Sequence, residues 1–185
     1  MTPEGDEWFD VVNERDEVIR RALRRDVHAQ GLWHRAVHVQ VFNRRGAVLL
    51  QKRSLAKDLS PGLWDSSCSG HLDAGEDYDA AAVRELAEEI GVRLESGRKP
   101  ERWFRIEACE QTGWEFVWVY RLLHDGPIVI NAAEIQFGEW VPPAEVTARL
   151  EARPGDSCPS FRLIWPQAAS RLAGTAATLP ATLSP

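Results

Sequence analysis

The sequence predicts an α+β fold built on a mixed β-sheet. Short runs with period-two apolar patterning are joined by hairpin turns. Amphipathic helical stretches lie between them, and their order lacks a regular βαβ repeat. The chain has 185 residues, 44% hydrophobic and 27% charged. That length and balance fit one globular domain with a sizeable core and exclude a disordered chain.

Phe9-Asp10-Val11-Val12, followed by Asn13-Glu14-Arg15-Asp16, reads as a short strand and turn. Val37, Val39 and Val41 alternate with His38 and Gln40, the pattern of a half-buried strand. Asn43 to Gly46 turns the chain and Ala47 to Gln51 returns, a hairpin. Pro61-Gly62 breaks the chain before a strand around Trp64 to Cys68. Asp77 to Ile90 is the clearest helix. Val83, Leu86, Ala87 and Ile90 form its apolar stripe, Asp77 its N-cap and Gly91 its stop. Strands are expected at Trp103 to Ile106, Trp114 to Leu122 and Ile128 to Ile130, and Glu139 to Val141 extends ahead of Pro142. A helix over Ala144 to Leu150 carries Pro143 in its first turn, and an amphipathic stretch runs from Phe161 to Leu172. One domain over 1–172 and a loose tail over 173–185 follow.

The charge balance narrows function. Twenty-two Lys+Arg against 28 Asp+Glu give a net charge of −6, which argues against nucleic acid or anionic membranes as partners. No apolar run approaches a membrane span, and the N-terminus lacks a signal pattern. Cys68, Cys109 and Cys158 are odd in number and scattered, so a reducing cytoplasm is the expected setting. Arg20, Arg21, Arg24 and Arg25 are balanced by Glu14, Asp16, Glu17 and Asp26, which predicts a solvated face. Trp33, Trp103, Trp114, Trp118 and Trp140 are expected to fill the core.

The informative feature is the acidic side of the best helix. Glu85, Glu88 and Glu89 are spaced i, i+3, i+4 and share one face, read as nearly opposite the apolar stripe. Like charges at these spacings repel by roughly 0.2–0.5 kcal/mol per pair. A hard divalent cation turns that repulsion into attraction, because Mg²⁺ takes oxygen ligands from one or two carboxylates and from substrate phosphates.

Gly70, five residues, Glu76, seven residues, then Arg84-Glu85-Leu86-Ala87-Glu88-Glu89-Ile90-Gly91-Val92 resembles the Nudix box, G-x5-E-x7-R-E-U-x-E-E-x-G-U, with every fixed position filled. The resemblance implies an α/β/α sandwich that hydrolyses diphosphate linkages with Mg²⁺ or Mn²⁺. It implies that Glu85, Glu88 and Glu89 hold the metal, that the Gly70 carbonyl adds an oxygen, and that Arg84 and Glu76 pair to orient the acids. The proton acceptor is left between Glu85 and Glu115.

The flanks are similar to the isopentenyl-diphosphate isomerase branch of that superfamily, from Phe9 through Trp140. His34-Arg35-Ala36-Val37, Leu49 to Arg53 with Lys57, Pro61 to Trp64 and Gly70-His71 carry the likeness. It implies that Arg53 and Lys57 contact a substrate diphosphate, and that His34 and His71, joined by Glu115, form a second metal site. His38 has no counterpart and reads as an alternation residue of its strand. The isomerases need a cysteine immediately before the Gly-His pair, where this chain has Ser69. Cys68 is one residue early, which in a strand is the opposite face, and a second acidic position is lost at Gly113.

The expected activity is therefore hydrolysis of a phosphorus anhydride in a small organic or nucleoside diphosphate. Isomerase-like activity and a non-catalytic ligand-binding module are the alternatives. The expected partner is a small-molecule diphosphate. A homodimer is compatible with the sequence without being demanded by it.

Overall fold

The computed structural model describes residues 7–176. In chain order the strands and helices are β1 (Trp8–Val12), β2 (Val18–Leu23), α1 (Arg24–Gln30), β3 (His34–Phe42), β4 (Val48–Arg53), β5 (Trp64–Asp65) and β6 (Cys68–His71). They continue as α2 (Tyr78–Ile90), β7 (Glu101–Ile106), β8 (Glu115–Leu123), β9 (Ile135–Val141), α3 (Pro143–Ala152) and α4 (Pro159–Ala176). The main sheet runs β5-β4-β3-β8-β7, with β6 added to β3 and β9 to β4. Only β3 and β8 pair in parallel; the other pairs are antiparallel, so the sheet is mixed.

The β3–β4 hairpin turns because Asn43 Oδ1 accepts from the Arg45 and Ala47 amides and Gly46 takes φ 79°. The two strands then diverge, and only Phe42 and Val48 pair. That splay lets β6 pair with β3, and it brings Gly70 and His71 into the middle of the molecule.

Two cores cover the two faces of the sheet. Val37, Val39, Val41, Cys68, Tyr120 and Leu122 pack under Leu86 and Ile90 of α2. Ala36, Leu50, Val117 and Val119 pack under Phe161, Ile164 and Trp165 of α4. Full burial of each Val, Leu, Ile or Phe among them contributes about 1.5–3 kcal/mol. This is a helix–sheet–helix sandwich. The β1–β2 ribbon and α1 form a third cluster around Phe9, Val11, Ala22 and Val27.

Several expectations need correction. β3 is buried on both faces, His38 and Gln40 included, because helices cover both sides of the sheet. Arg20 and Arg21 lie on β2, and Arg24 is buried against Glu7 and Asp58 rather than solvated. Trp64 to Cys68 is two strands separated by Ser66 and Ser67. Ile128 to Ile130 is no strand: the Val129 and Asn131 amides donate to the Ile90 and Glu89 carbonyls and finish the end of α2. None of the five tryptophans named above is fully buried, and Trp103 and Trp118 lie under Arg121 and Arg102. α4 reaches Ala176, so 173–176 are helical; 177–185 lie outside the described residues.

Candidate active site

The acidic helix starts well. The Asp77 carboxylate accepts from the Asp79 and Ala80 amides, and Gly91 closes the C-terminus with φ 68°. Its buried face differs from the expected one. Val83 and Ala87 are half-buried, whereas Ala82, Glu85, Leu86, Glu89 and Ile90 are buried. Glu85 and Glu89 therefore flank the apolar stripe instead of opposing it, and Glu88 alone points outward.

Their position is fixed by the end of β6. A Cβ on Gly70 would lie 1.9 Å from Glu85 Oε1, so only glycine admits that carboxylate. Glu89 Oε2 accepts from the Ser69 amide at 3.0 Å and faces Gln51 Nε2 at 3.3 Å. Arg84 is the hub. It donates to both oxygens of Glu76 (3.0 and 2.9 Å), to Glu85 (2.7 Å), to Glu88 (3.1 Å) and to the His71 carbonyl (2.9 Å). Burial pushes the Glu85 carboxyl up to about 7, with the Glu88 and Glu134 charges adding and Arg84 opposing. Burial likewise raises Glu89 well above the usual carboxylate range; the Glu85 charge adds, and the Ser69 amide opposes. Two buried carboxylates that disfavour their own ionisation, open to a cavity, suit a divalent cation.

A second cluster lies beside the first. The parallel register sets His34 opposite Glu115, and the antiparallel register sets His71 opposite Ala36, two residues along. His71 Nε2 lies 2.9 Å from Glu115 Oε1 and His34 Nε2 lies 3.6 Å from it. α1 adds His28, which the sequence reading missed; one ring nitrogen from each histidine falls within 4.8 Å of the others. His34 Nδ1 donates to the Leu32 carbonyl at 2.8 Å, and the Nε2 atoms of His34 and His28 are buried without hydrogen-bond partners among the described residues. Burial, then the charges of His71, His34 and Arg24, lower His28 to about 4. Burial opposes ionisation of Glu115, but the two imidazoles beside it, His34 and His71, outweigh it and hold this carboxyl well below its usual range.

The acidic helix and the His71–Glu115 side of the second cluster open on one cavity of about 720 Å³, lined by Gly70, His71, Glu85, Glu88, Glu89 and Glu115 and also by Arg53 and Lys57. Arg53 donates to the Leu59 carbonyl at 3.1 and 3.2 Å and lies 3.5 Å from Asp65. Lys57 pairs with Glu134 at 2.6 Å. Glu134, a fourth acid facing the helix, was also missed; it lies in the turn before β9, which carries no periodic signal. The tryptophans do not line this cavity. Cys68 is fully buried in the α2-side core with its thiol pushed well up by burial, whereas Ser69 faces the cavity.

A mixed sheet between helices, with a capped helix presenting carboxylates to a glycine at the strand end, defines the Nudix class of fold. The model of the NUDIX domain matches residues 32–161, and the chain belongs to that family. It is 32% identical over 158 residues to the uncharacterized Nudix hydrolase YfcD of Escherichia coli K12, covering 85% of this chain and 86% of that one. It is 36% identical over 158 residues to a Nudix hydrolase of Deinococcus radiodurans, covering 82% and 90%. The crystal structure of DR0079 from Deinococcus radiodurans superimposes with a TM-score of 0.77 at 30% identity, over 87% of this chain and 98% of that one. The NUDIX domain of Shewanella oneidensis NrtR complexed with ADP ribose shares the fold, with a TM-score of 0.58 at 22% identity over 74% and 86%. Among the described residues no helix is long and apolar enough to cross a membrane.

Proposed function

We propose that this Nudix protein is a Mg²⁺-dependent diphosphatase, Mn²⁺ substituting, that hydrolyses a diphosphate linkage in a small organic or nucleoside diphosphate. The observation that carries this reading is the fit of Glu85 into the space left by Gly70, which aims two buried carboxylates into the cavity. Glu85, Glu88, Glu89 and the Gly70 carbonyl would hold the cation. When bound, it supplies charge neutralisation at phosphate oxygens and a water of lowered pKa. Arg84, anchored by Glu76, keeps the acids in place. Arg53 and Lys57 receive the phosphates, Lys57 by exchanging Glu134 for a phosphate oxygen. Glu115 is hydrogen-bonded to His71 and lies beside His34, which favours Glu85 over Glu115 as proton acceptor. Three free cysteines suit a reducing, cytoplasmic setting.

One observation favours a second cation. The Nε2 atoms of His34 and His28 are buried without hydrogen-bond partners among the described residues, and a metal held by His28, His34, His71 and Glu115 would give them one. That site is also where the isomerase-like alternative would place its metal.

A panel of nucleoside diphosphates, sugar nucleotides, dinucleoside polyphosphates and isopentenyl diphosphate, assayed with Mg²⁺, tests the proposal. Phosphate or nucleotide release is expected. Allylic product would support the isomerase instead, and metal-dependent binding without turnover would support a non-catalytic module.

A further inference from the structure

The loop that carries Glu76 is held from outside the family match. The β1–β2 ribbon ends at Leu23, ahead of the matched residues 32–161, and the Nudix pattern fixes none of its positions. Yet the ribbon grips the link between β6 and α2. The Ala74 amide donates to the Trp8 carbonyl at 2.8 Å, and the Gly75 amide donates to Asp10 Oδ2 at 2.7 Å. At the ribbon's turn, Asp16 accepts from Arg35 at 2.6 Å and from the Tyr78 hydroxyl at 2.9 Å, and Tyr78 opens α2.

Residues 73–76 are tied into one turn. The Glu76 amide donates to the Asp73 carbonyl at 2.9 Å, and the Asp73 amide donates to Glu76 Oε2 at 3.0 Å. Glu76 then takes two hydrogen bonds from Arg84, which reaches Glu85 at 2.7 Å and Glu88 at 3.1 Å. A chain of polar contacts thus leads from Asp10 to two of the carboxylates that would hold the cation. Asp10 is buried, and its other partner is the exposed side chain of its cross-strand neighbour Arg21, 3.1 Å away. A bond from a backbone amide to a buried carboxylate is strong, whereas an ion pair with an exposed arginine contributes little. Metal affinity depends on how closely the ligands are held, and groups standing behind the ligands contribute to it.

We propose that Asp10 is a positioning residue for the divalent-cation site: through Gly75, Glu76 and Arg84 it keeps Glu85 and Glu88 in the arrangement that binds the metal. The inference rests on the diphosphatase reading. Mn²⁺ binding to the full chain is measured by electron paramagnetic resonance, beside Mg²⁺-dependent turnover, melting temperature and amide hydrogen exchange over residues 72–76. Glu89→Gln marks which bound Mn²⁺ belongs to the acidic helix. Asp10→Ala should raise the Kd for that ion about tenfold, raise the Mg²⁺ concentration for half-maximal turnover in step, and speed exchange at Gly75. Asp10→Asn keeps an oxygen acceptor for the Gly75 amide and should recover most of the affinity. Arg21→Ala, which removes only the exposed ion pair, should bind as wild type does. Val11→Ala thins the ribbon's buried cluster and should lower the melting temperature without moving the Kd. Should Asp10→Ala fail to fold, Asp10→Ser, whose hydroxyl stops short of the Gly75 amide, takes its place with the same expected result. Unchanged Mn²⁺ affinity in the Ala or Ser variant, or equal weakening in Val11→Ala, would make Asp10 merely structural and overturn its role alone. Mn²⁺ binding that Glu89→Gln leaves intact would instead remove the acidic-helix reading, and this inference with it.

Discussion

At the residue scale the site depends on one missing methyl group. Gly70 sits where β6 meets α2, and the Glu85 carboxylate occupies the volume that a side chain there would need. Because the obstructing atoms are the end of a flexible side chain, Gly70→Ala is expected to fold. It should displace Glu85 and lower metal-dependent turnover by about two orders of magnitude, the size of effect seen when a charged or oriented catalytic group is lost. Circular dichroism and a turnover assay on the same preparation check both halves; a fully active Gly70→Ala protein would contradict the placement of Glu85. Arg84 illustrates the complementary case, a cation that binds three carboxylates at once. Arg84→Lys offers one point charge in place of a planar fork. It is expected to weaken Mg²⁺ binding, read as a several-fold higher Mg²⁺ concentration for half-maximal activity.

At the element scale, α2 is tied down at its first turn as well as by its apolar stripe. Asp79 accepts from Tyr120, Lys99 and Arg102. Burial opposes its ionisation, but those hydrogen bonds outweigh it and hold Asp79 at about 2. A lowered carboxyl contributes stability that is present above its unfolded value and lost as pH falls through the folded one. The metal-free protein should therefore lose stability between about pH 4 and pH 2, and Asp79→Asn should flatten that limb by about 1 kcal/mol after allowance for solvent screening. Urea unfolding at several pH values measures it. The same element shows what the sequence discloses. The three glutamates, Gly70, Glu76 and Arg84 lie within 23 residues, and local spacing is enough to bring them together. Their burial was misjudged because the stripe was centred on Leu86 without the flank that carries Glu85 and Glu89. β2 was hidden because its arginines masked an exposed strand, and Ile128 to Ile130 looked like a strand while serving as an end-piece for α2. His28, Glu134 and the depth of His38 were not legible at all, since each depends on distant segments meeting at the cavity.

At the scale of the whole molecule, the sheet separates two chemistries. Cys68 and its neighbours face the α2 core, while Ser69, His38 and His71 face the cavity. Alkylation of Cys68 consequently requires the sheet to part from α2, which is an opening close to global unfolding. Mass spectrometry of the folded protein should show slow modification of Cys68 and faster modification of the half-buried Cys109. Rapid, substrate-protected modification of Cys68 would instead mean that the strand is re-aimed and that thiol chemistry operates here. Everything else in the account converges on the acidic helix. The most direct measurement is Mg²⁺-dependent turnover of the best diphosphate from the panel by Glu85→Gln, Glu88→Gln and Glu89→Gln, each of which keeps side-chain volume and removes a charge. The account predicts losses of about two orders of magnitude or more for the buried pair Glu85 and Glu89 and a clear loss for Glu88, with metal-free stability level or slightly higher as like-charge repulsion is relieved. Near-normal turnover in all three would contradict it and move the metal to His28, His34, His71 and Glu115.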